Sequence, residues 1–486
     1  MAVEKTASTL VNKAIKTNDV YCAAAVYGIA TNKQRKILEA IMFSKRRDAL
    51  ILARWEHTPA EVLQALSTKN DGADKLASAI QIDSSVRLDR ALELRLDKNP
   101  NTPAQALSNL YIEGIKDSKK NASLTLLIAQ HQHTPANVLA SIVQFDRSLE
   151  NLKAVSRNPA VSEQVLRCLV GHQPNTEMYK VFDKNVATNP SAPPDVLTLI
   201  YARGDAFSRA AVIAHTNCPQ SLLEQAVNDS ELLVQRQLSR KCTQVVVLAR
   251  MVMNKDTAVR CGVAANMHAH RALIGHLLND AACAVRRALA TRSDLSAASI
   301  KRLMNDADHW VRLWLGRNPI VSRNVLKTLS DDPCYEVRRA VARNPRCPIA
   351  LLEVLAKDEN AWVRSAVAYQ QSAPKRLMVA LARELDIDVL SGVAANVHTP
   401  QRILQELVVY PEADVRRGVI LNPKAKRKTL LPLLEDPYYL HRLLLVGNPM
   451  LKERDKWPLC EDPDFNVRFA AFKWFAGLNK VAERFA

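Results

Sequence analysis

One position of this sequence carries arginine with unusual regularity: Arg260, Arg286, Arg312, Arg338, Arg364, Arg416, Arg442 and Arg468, with Leu390 the single break. Guanidinium groups stacked one layer apart would suit the phosphates of a polyanion. Aspartates of the same period, Asp280, Asp306, Asp332, Asp358, Asp436 and Asp462, offer a second chemistry, an internal ladder of Asp–Arg hydrogen bonds. The shared period favours the ladder, which gives Arg260, Arg286, Arg312, Arg338, Arg364, Arg416, Asp280, Asp306, Asp332 and Asp358 a structural role. The arginines without a fixed acidic mate are then the candidate nucleic-acid ligands: Arg287, Arg339 and Arg417 in one register, Arg317 and Arg343 in another. Lys424, Lys426, Arg427 and Lys428 join them from the run NPKAKRKTL, and Lys33, Arg35, Lys36, Lys45, Arg46 and Arg47 form a second basic cluster. Runs of this kind are also ordinary solvated surface.

Trp310 and Trp362 hold the same place two repeats apart, and Trp314 lies close by. Indoles among basic residues could stack on bases or fill gaps in packing. The paired histidines, His131 with His133 and His268 with His270, are two residues apart, which puts neither pair on one helical face. The nine cysteines are scattered with no CxxC pair, so no metal or redox site is expected and no cofactor. Phosphate-loop, dinucleotide-loop, zinc-protease and serine-hydrolase signatures are absent from the sequence. No catalytic residue is assigned.

These side chains must be positioned by a repeat. VRRAVARNPRCP at 337 recurs as VRRALATRSDLS at 285, VRLWLGRNPIVS at 311, VRSAVAYQQSAP at 363, VLSGVAANVHTP at 389 and VRRGVILNPKAK at 415. Further copies begin at 48, 92, 124, 151, 182, 208, 234, 259, 441 and 467. The fifth place is aliphatic, as in Leu52, Leu96, Val155, Val212, Val263, Val341, Val393 and Val419. The fourth is often small, as in Gly262, Ala288, Ala340, Ala366, Gly392 and Gly418, which lets helices approach closely. Asn-Pro then ends the helix at Asn158, Asn189, Asn318, Asn344 and Asn422, because a residue before proline leaves the α region. A second proline opens the next helix at Pro193, Pro219, Pro348, Pro374 and Pro400. Two short helices per repeat of ~26 residues cannot bury themselves alone, but stacked they share a core. The expected fold is an all-α, right-handed α-solenoid of about sixteen such repeats.

The unit VRRAVARNPRCPIALLEVLAKDENAWVR resembles the leucine-rich repeat variant of bacteria, and its Asp-to-Val-Arg segment resembles HEAT repeats. The resemblance spans about residues 48–470 and implies fold more than function. The variant family that this unit resembles includes members with an N-terminal iron–sulfur domain. Residues 1–167 hold only Cys22, so no cluster is carried over. HEAT-like repeats also build alkylpurine DNA glycosylases, but no motif here matches their catalytic site. Asp308 beside Trp310 and Trp314 is the one neighbourhood that would suit such chemistry.

The expected organisation is a helical cap over 1–47, the solenoid over 48–470 and a cap helix over 471–486. With 67 basic against 49 acidic residues the net charge is +18, which favours a polyanionic partner. The leading expectation is a non-catalytic scaffold that binds DNA or RNA through phosphate contacts. Its alternatives are a protein-interaction adaptor for an acidic or extended partner, and a base-repair glycosylase. No small-molecule substrate and no membrane partner is expected. The N-terminus lacks the apolar core of a signal peptide, so the expected location is cytoplasmic.

Overall fold

The computed structural model describes residues 2–43, 46–55, 57–68, 101–116, 121–145, 148–171 and 177–485. The repeat copy starting at 92, with Leu96, lies outside them, as does Lys45. The described residues are helical throughout, in short helices joined by tight turns, with no strand among them. None of these helices is long and apolar enough to cross a membrane. The chain forms two packed units, Met1–Leu222 with Cys460–Ala486, and Leu223–Leu459.

In Leu223–Leu459 the first helix of each repeat packs on the first helix of the next. Counting α1 (Ala2–Thr17) and α2 (Val20–Val26) near the N-terminus, they include α3 (Cys283–Ala290), α4 (His309–Arg317), α5 (Tyr335–Ala342), α6 (Ala361–Tyr369), α7 (Ile387–Ala395) and α8 (Ala413–Leu421). The aliphatic fifth place is fully buried in each: Leu289, Leu315, Val341, Val367, Val393 and Val419. The second helices add Leu326, Leu352, Met378 and Leu404 to the same core. This is an α-solenoid, as the period requires.

Close approach of the first helices explains the small fourth place. A Cβ on Gly392 would lie 2.7 Å from Ala368 Cβ, and one on Gly418 would lie 2.7 Å from Ala394 Cβ and 2.8 Å from the Ser391 carbonyl. Gly392→Val and Gly418→Val are therefore each expected to lower stability by about 1–3 kcal/mol through overpacking. Gly275→Ala, at a helical site with open space, is the control and should stabilise by up to about 1 kcal/mol. Denaturant midpoints of the three variants check this.

The asparagines do more than break helices. Asn344 is fully buried, and its Nδ2 donates to the carbonyls of Gly316 (2.7 Å) and Asn318 (3.0 Å) in the preceding repeat. Its Oδ1 accepts from the Arg346 N–H. Asn266, Asn318, Asn396 and Asn422 repeat the double donation, as do Asn158 and Asn189 in the other unit. Gln370 reaches the same pair of carbonyls with its longer amide, and the buried Arg292 does so with a guanidinium. One side chain per turn thus satisfies two carbonyls that the turns would otherwise bury unpaired.

In the other unit, α1 (Ala2–Thr17) and α2 (Val20–Val26) pack against α9 (Phe465–Phe485), the long helix that carries the last repeat into the C-terminal segment. Arg468 donates to Asp19 at 2.8 Å, and Lys13 pairs with Glu461 at 2.8 Å. Tyr21 and Trp55 close their rings on Phe465 and Phe469. The first and last helices of the chain therefore share one core within this unit.

Candidate functional site: an arginine–tryptophan face

The periodic arginines are consumed by the fold. Arg286 donates from Nε and Nη2 to Asp306 in the next turn, and from Nη1 to the carbonyls of Asp280 and Ala281 in its own. Arg260 with Asp280, Arg312 with Asp332, Arg338 with Asp358 and Arg416 with Asp436 repeat this geometry. Arg364 reaches Glu384, a longer acid in the aspartate's place. Where Leu390 replaces the arginine, Tyr410 stands twenty residues on in place of the acid, so neither partner is left unpaired. All these guanidinium groups point into turns between layers.

The carboxylates feel it. Arg236, Arg287 and Arg427 hold Asp256, Asp308 and Asp455 at about 2. Arg260 lowers Asp280, while at Asp306, Asp358 and Asp436 burial works against ionisation and is outweighed by Arg286, Arg338 and Arg416. Depressed carboxylates stabilise the fold only while ionised, and the unfolded chain takes up its protons first. The melting temperature should hold from pH 7 down to about 5 and then drop steeply between about 4 and 2. Circular dichroism melts across that range check the direction.

A different set of side chains faces outward along the first helices. Trp310, Trp314 and Arg317 sit four and three residues apart on α4, and therefore share a face. Arg339 on α5 and Arg343 at its C-cap, four apart, do the same, as do Trp362 and Tyr369, seven apart, on α6. The Arg317 guanidinium lies 5.4 Å from the Trp314 ring centroid, and Arg339 reaches across one layer to lie 4.8 Å from that of Trp362. Arg287 makes the equivalent crossing to Trp310 at 6.0 Å. The indoles do not fill the core: Trp310, Trp314 and Trp362 are 42, 39 and 49 % exposed.

Charge is concentrated here. Arg317, Arg339 and Arg343 have no ion-pair partner among the described residues. Desolvation and then the charges of Arg339 and Arg317 push the Arg343 pKa below its ordinary value, which places the Arg343 guanidinium in the field of the other two. The Nε of Arg339 is shielded from solvent and has no hydrogen-bond partner. Glu336, on α5 in the place that Trp310 and Trp362 hold in the neighbouring layers, accepts from the Cys334 thiol, and Asp388 and Asp414 act on Tyr369 together with Arg417 and Arg343. The result is a cationic, aromatic surface across α4, α5 and α6, able to hold a planar anionic ligand.

Two expected free ligands are paired instead. Arg287 grips Asp308 through Nε (2.9 Å) and Nη2 (2.6 Å), and Arg427 grips Asp455 in the same bidentate way. Their mates lie 21 and 28 residues on, outside the period of the ladder, so spacing alone did not reveal them. Asp308 also caps α4 by accepting from the Val311 N–H. Lys424, Lys426 and Lys428 are exposed around the turn before the helix Arg427–Leu430, and Arg417 is exposed on α8. In the N-terminal cluster Arg35 is held by the Tyr27 and Gly28 carbonyls. Tyr369 was not anticipated; its signal was an aromatic at the place where Arg317 and Arg343 stand. Trp314 carried a plainer one, a large aromatic at the place that is often small. Among the described residues no group of three or more His, Cys, Asp or Glu side chains could hold a metal ion.

Short paired helices stacked on shared cores, with side chains bonded from turn to turn, define a helical-repeat protein. Residues 335–360 match the leucine rich repeat variant family. Among solved structures the chain is similar to a leucine-rich repeat variant with a novel repetitive structural motif, at 24% identity over 51% of this chain and 88% of that one, with a TM-score of 0.29. It is also similar to an engineered protein (13% identity, 96% and 98% covered, TM-score 0.15) and to UNC-45 from Drosophila melanogaster (13% identity, 98% and 68% covered, TM-score 0.14). No curated protein matches the chain.

Proposed function

We propose that this repeat protein is a non-catalytic scaffold that binds a polyanion, nucleic acid, through phosphate contacts on the first-helix face of α4, α5 and α6. The observation that carries the reading is that Arg317, Arg339 and Arg343 make no ion pair among the described residues, while Arg317 and Arg339 lie against exposed indoles. Three like charges held together in a folded protein are destabilising unless a ligand neutralises them. The phosphate contacts come from these three residues, with Arg417, Lys424, Lys426 and Lys428 further along the stack and Arg287 contributing through its outer edge. The net charge of +18 supports encounter with such a partner.

Fluorescence anisotropy with labelled duplex DNA, single-stranded DNA and RNA tests the reading. Several phosphate contacts should make the affinity fall by roughly 10³-fold between about 50 and 200 mM salt. A second reading, a protein adaptor, is favoured by the make-up of the same face, since Trp, Tyr and Arg dominate protein hot spots. Absence of nucleic-acid binding at low salt would leave that reading in its place.

A further inference from the structure

Arg287 over Trp310 and Arg339 over Trp362 are two copies of one device. In each, an arginine in the third place of one repeat covers a tryptophan just before the next. In the layer between, the same two places hold Leu313 with Glu336, and in the layer after they hold Ser365 with Asp388. The two copies therefore stand two layers apart, roughly 16–20 Å at 8–10 Å per layer. Trp314, with Arg317 at its ring, lies between the two copies.

The chemistry of the device selects its ligand. A guanidinium at each indole repels lysine, quaternary ammonium and other cations that exposed tryptophans would otherwise attract. Aliphatic side chains would have to strip water from Arg317, Arg339 and Arg343 and give nothing in return. A flat aromatic ring bearing an anion satisfies both halves, because the ring stacks on the indole and the anion meets the guanidinium. Nucleotides have this form. A duplex buries the faces of its bases, whereas a single strand offers them.

We infer that this face takes single-stranded nucleic acid, with bases stacked on Trp314 and Trp362 and phosphates held by Arg317, Arg339 and Arg343. The inference rests on the polyanion reading above and adds to it the strandedness and the stacking. Tyr369, half exposed at the end of α6, extends the platform toward α7.

Anisotropy titrations of the full chain with oligo-dT, oligo-U, an abasic oligomer of equal length and charge, and a hairpin duplex separate the two claims. Oligo-dT and oligo-U should bind more tightly than the abasic strand and the duplex. Trp314→Ala and Trp362→Ala should each weaken oligo-dT binding by about 5- to 150-fold. Phe at either site should restore most of the loss, and abasic binding should stay unchanged in every variant, which also reports that the variants are folded. Equal affinity for oligo-dT and the abasic strand, or alanine variants that bind oligo-dT as the parent does, would overturn the stacking while phosphate binding stands. Failure of all four probes to bind at low salt would remove the polyanion reading itself.

Discussion

Reversing three charges, in Arg317→Glu, Arg339→Glu and Arg343→Glu together, will cut affinity for nucleic acid by about 10²-fold or more at low salt. Each of these residues is free of ion pairs among the described residues, and Arg343 stands in the field of the other two. Loss of three phosphate contacts should lower the slope of log affinity against log salt by about 2 on a single strand and about 2.7 on a duplex. The fold should survive, because none of the three belongs to the Asp–Arg ladder. A matching reversal at ladder position Arg312 is the contrast. It would leave Asp332 without its partner and drive a second carboxylate against it, so it should lower the melting temperature. Anisotropy paired with thermal melts distinguishes a lost ligand contact from a lost structural one. An unchanged slope in the triple variant would place the phosphate contacts elsewhere.

The largest single-residue effect on stability is expected at the asparagine rungs. Asn344→Ala removes the donor for the Gly316 and Asn318 carbonyls and the acceptor for the Arg346 N–H. The site is fully buried, so water does not replace the lost bonds without rearrangement. About 2–4 kcal/mol of stability should be lost, from two carbonyls at about 1–3 kcal/mol each with partial relaxation. Asn344→Gln is the informative companion. Gln370 already holds the equivalent pair of carbonyls at 3.0 and 2.9 Å, so glutamine should recover much of the difference. Urea unfolding of both variants tests the claim. A loss no larger than that of Arg346→Ala, at the turn surface, would deny the rungs their role.

The fold was legible because its period is strict. A buried aliphatic, a small neighbour and an Asn-Pro break recur in register, and each has its own physical cause. Gly392 and Gly418 show the small place at work, with no room for a Cβ between adjacent helices. The asparagines were read as helix breakers, yet their larger part is played across layers, where Asn344 reaches a turn 26 and 28 residues earlier. No pattern within one repeat displays a bond to the previous one. The candidate site was legible in part. Arg317, Arg339 and Arg343 stood out as arginines outside the ladder, and Trp310 and Trp362 as equivalent positions. That Arg287 and Arg427 have acidic mates was hidden, because Asp308 and Asp455 fall outside the period. That Trp314 joins Arg317 at the surface depends on a face of α4 left open by its neighbours, which only packing decides.

The most direct test of the account is a map of where nucleic acid touches the chain. Photocrosslinking of an oligonucleotide carrying iodouracil, followed by peptide mass spectrometry, gives that map without altering a residue of the protein. Adducts are expected at Trp310, Trp314, Trp362 or Tyr369, within α4 and α6. Adducts confined to the basic runs at 33–47 or 424–428, with none on the first helices between 309 and 369, would contradict it.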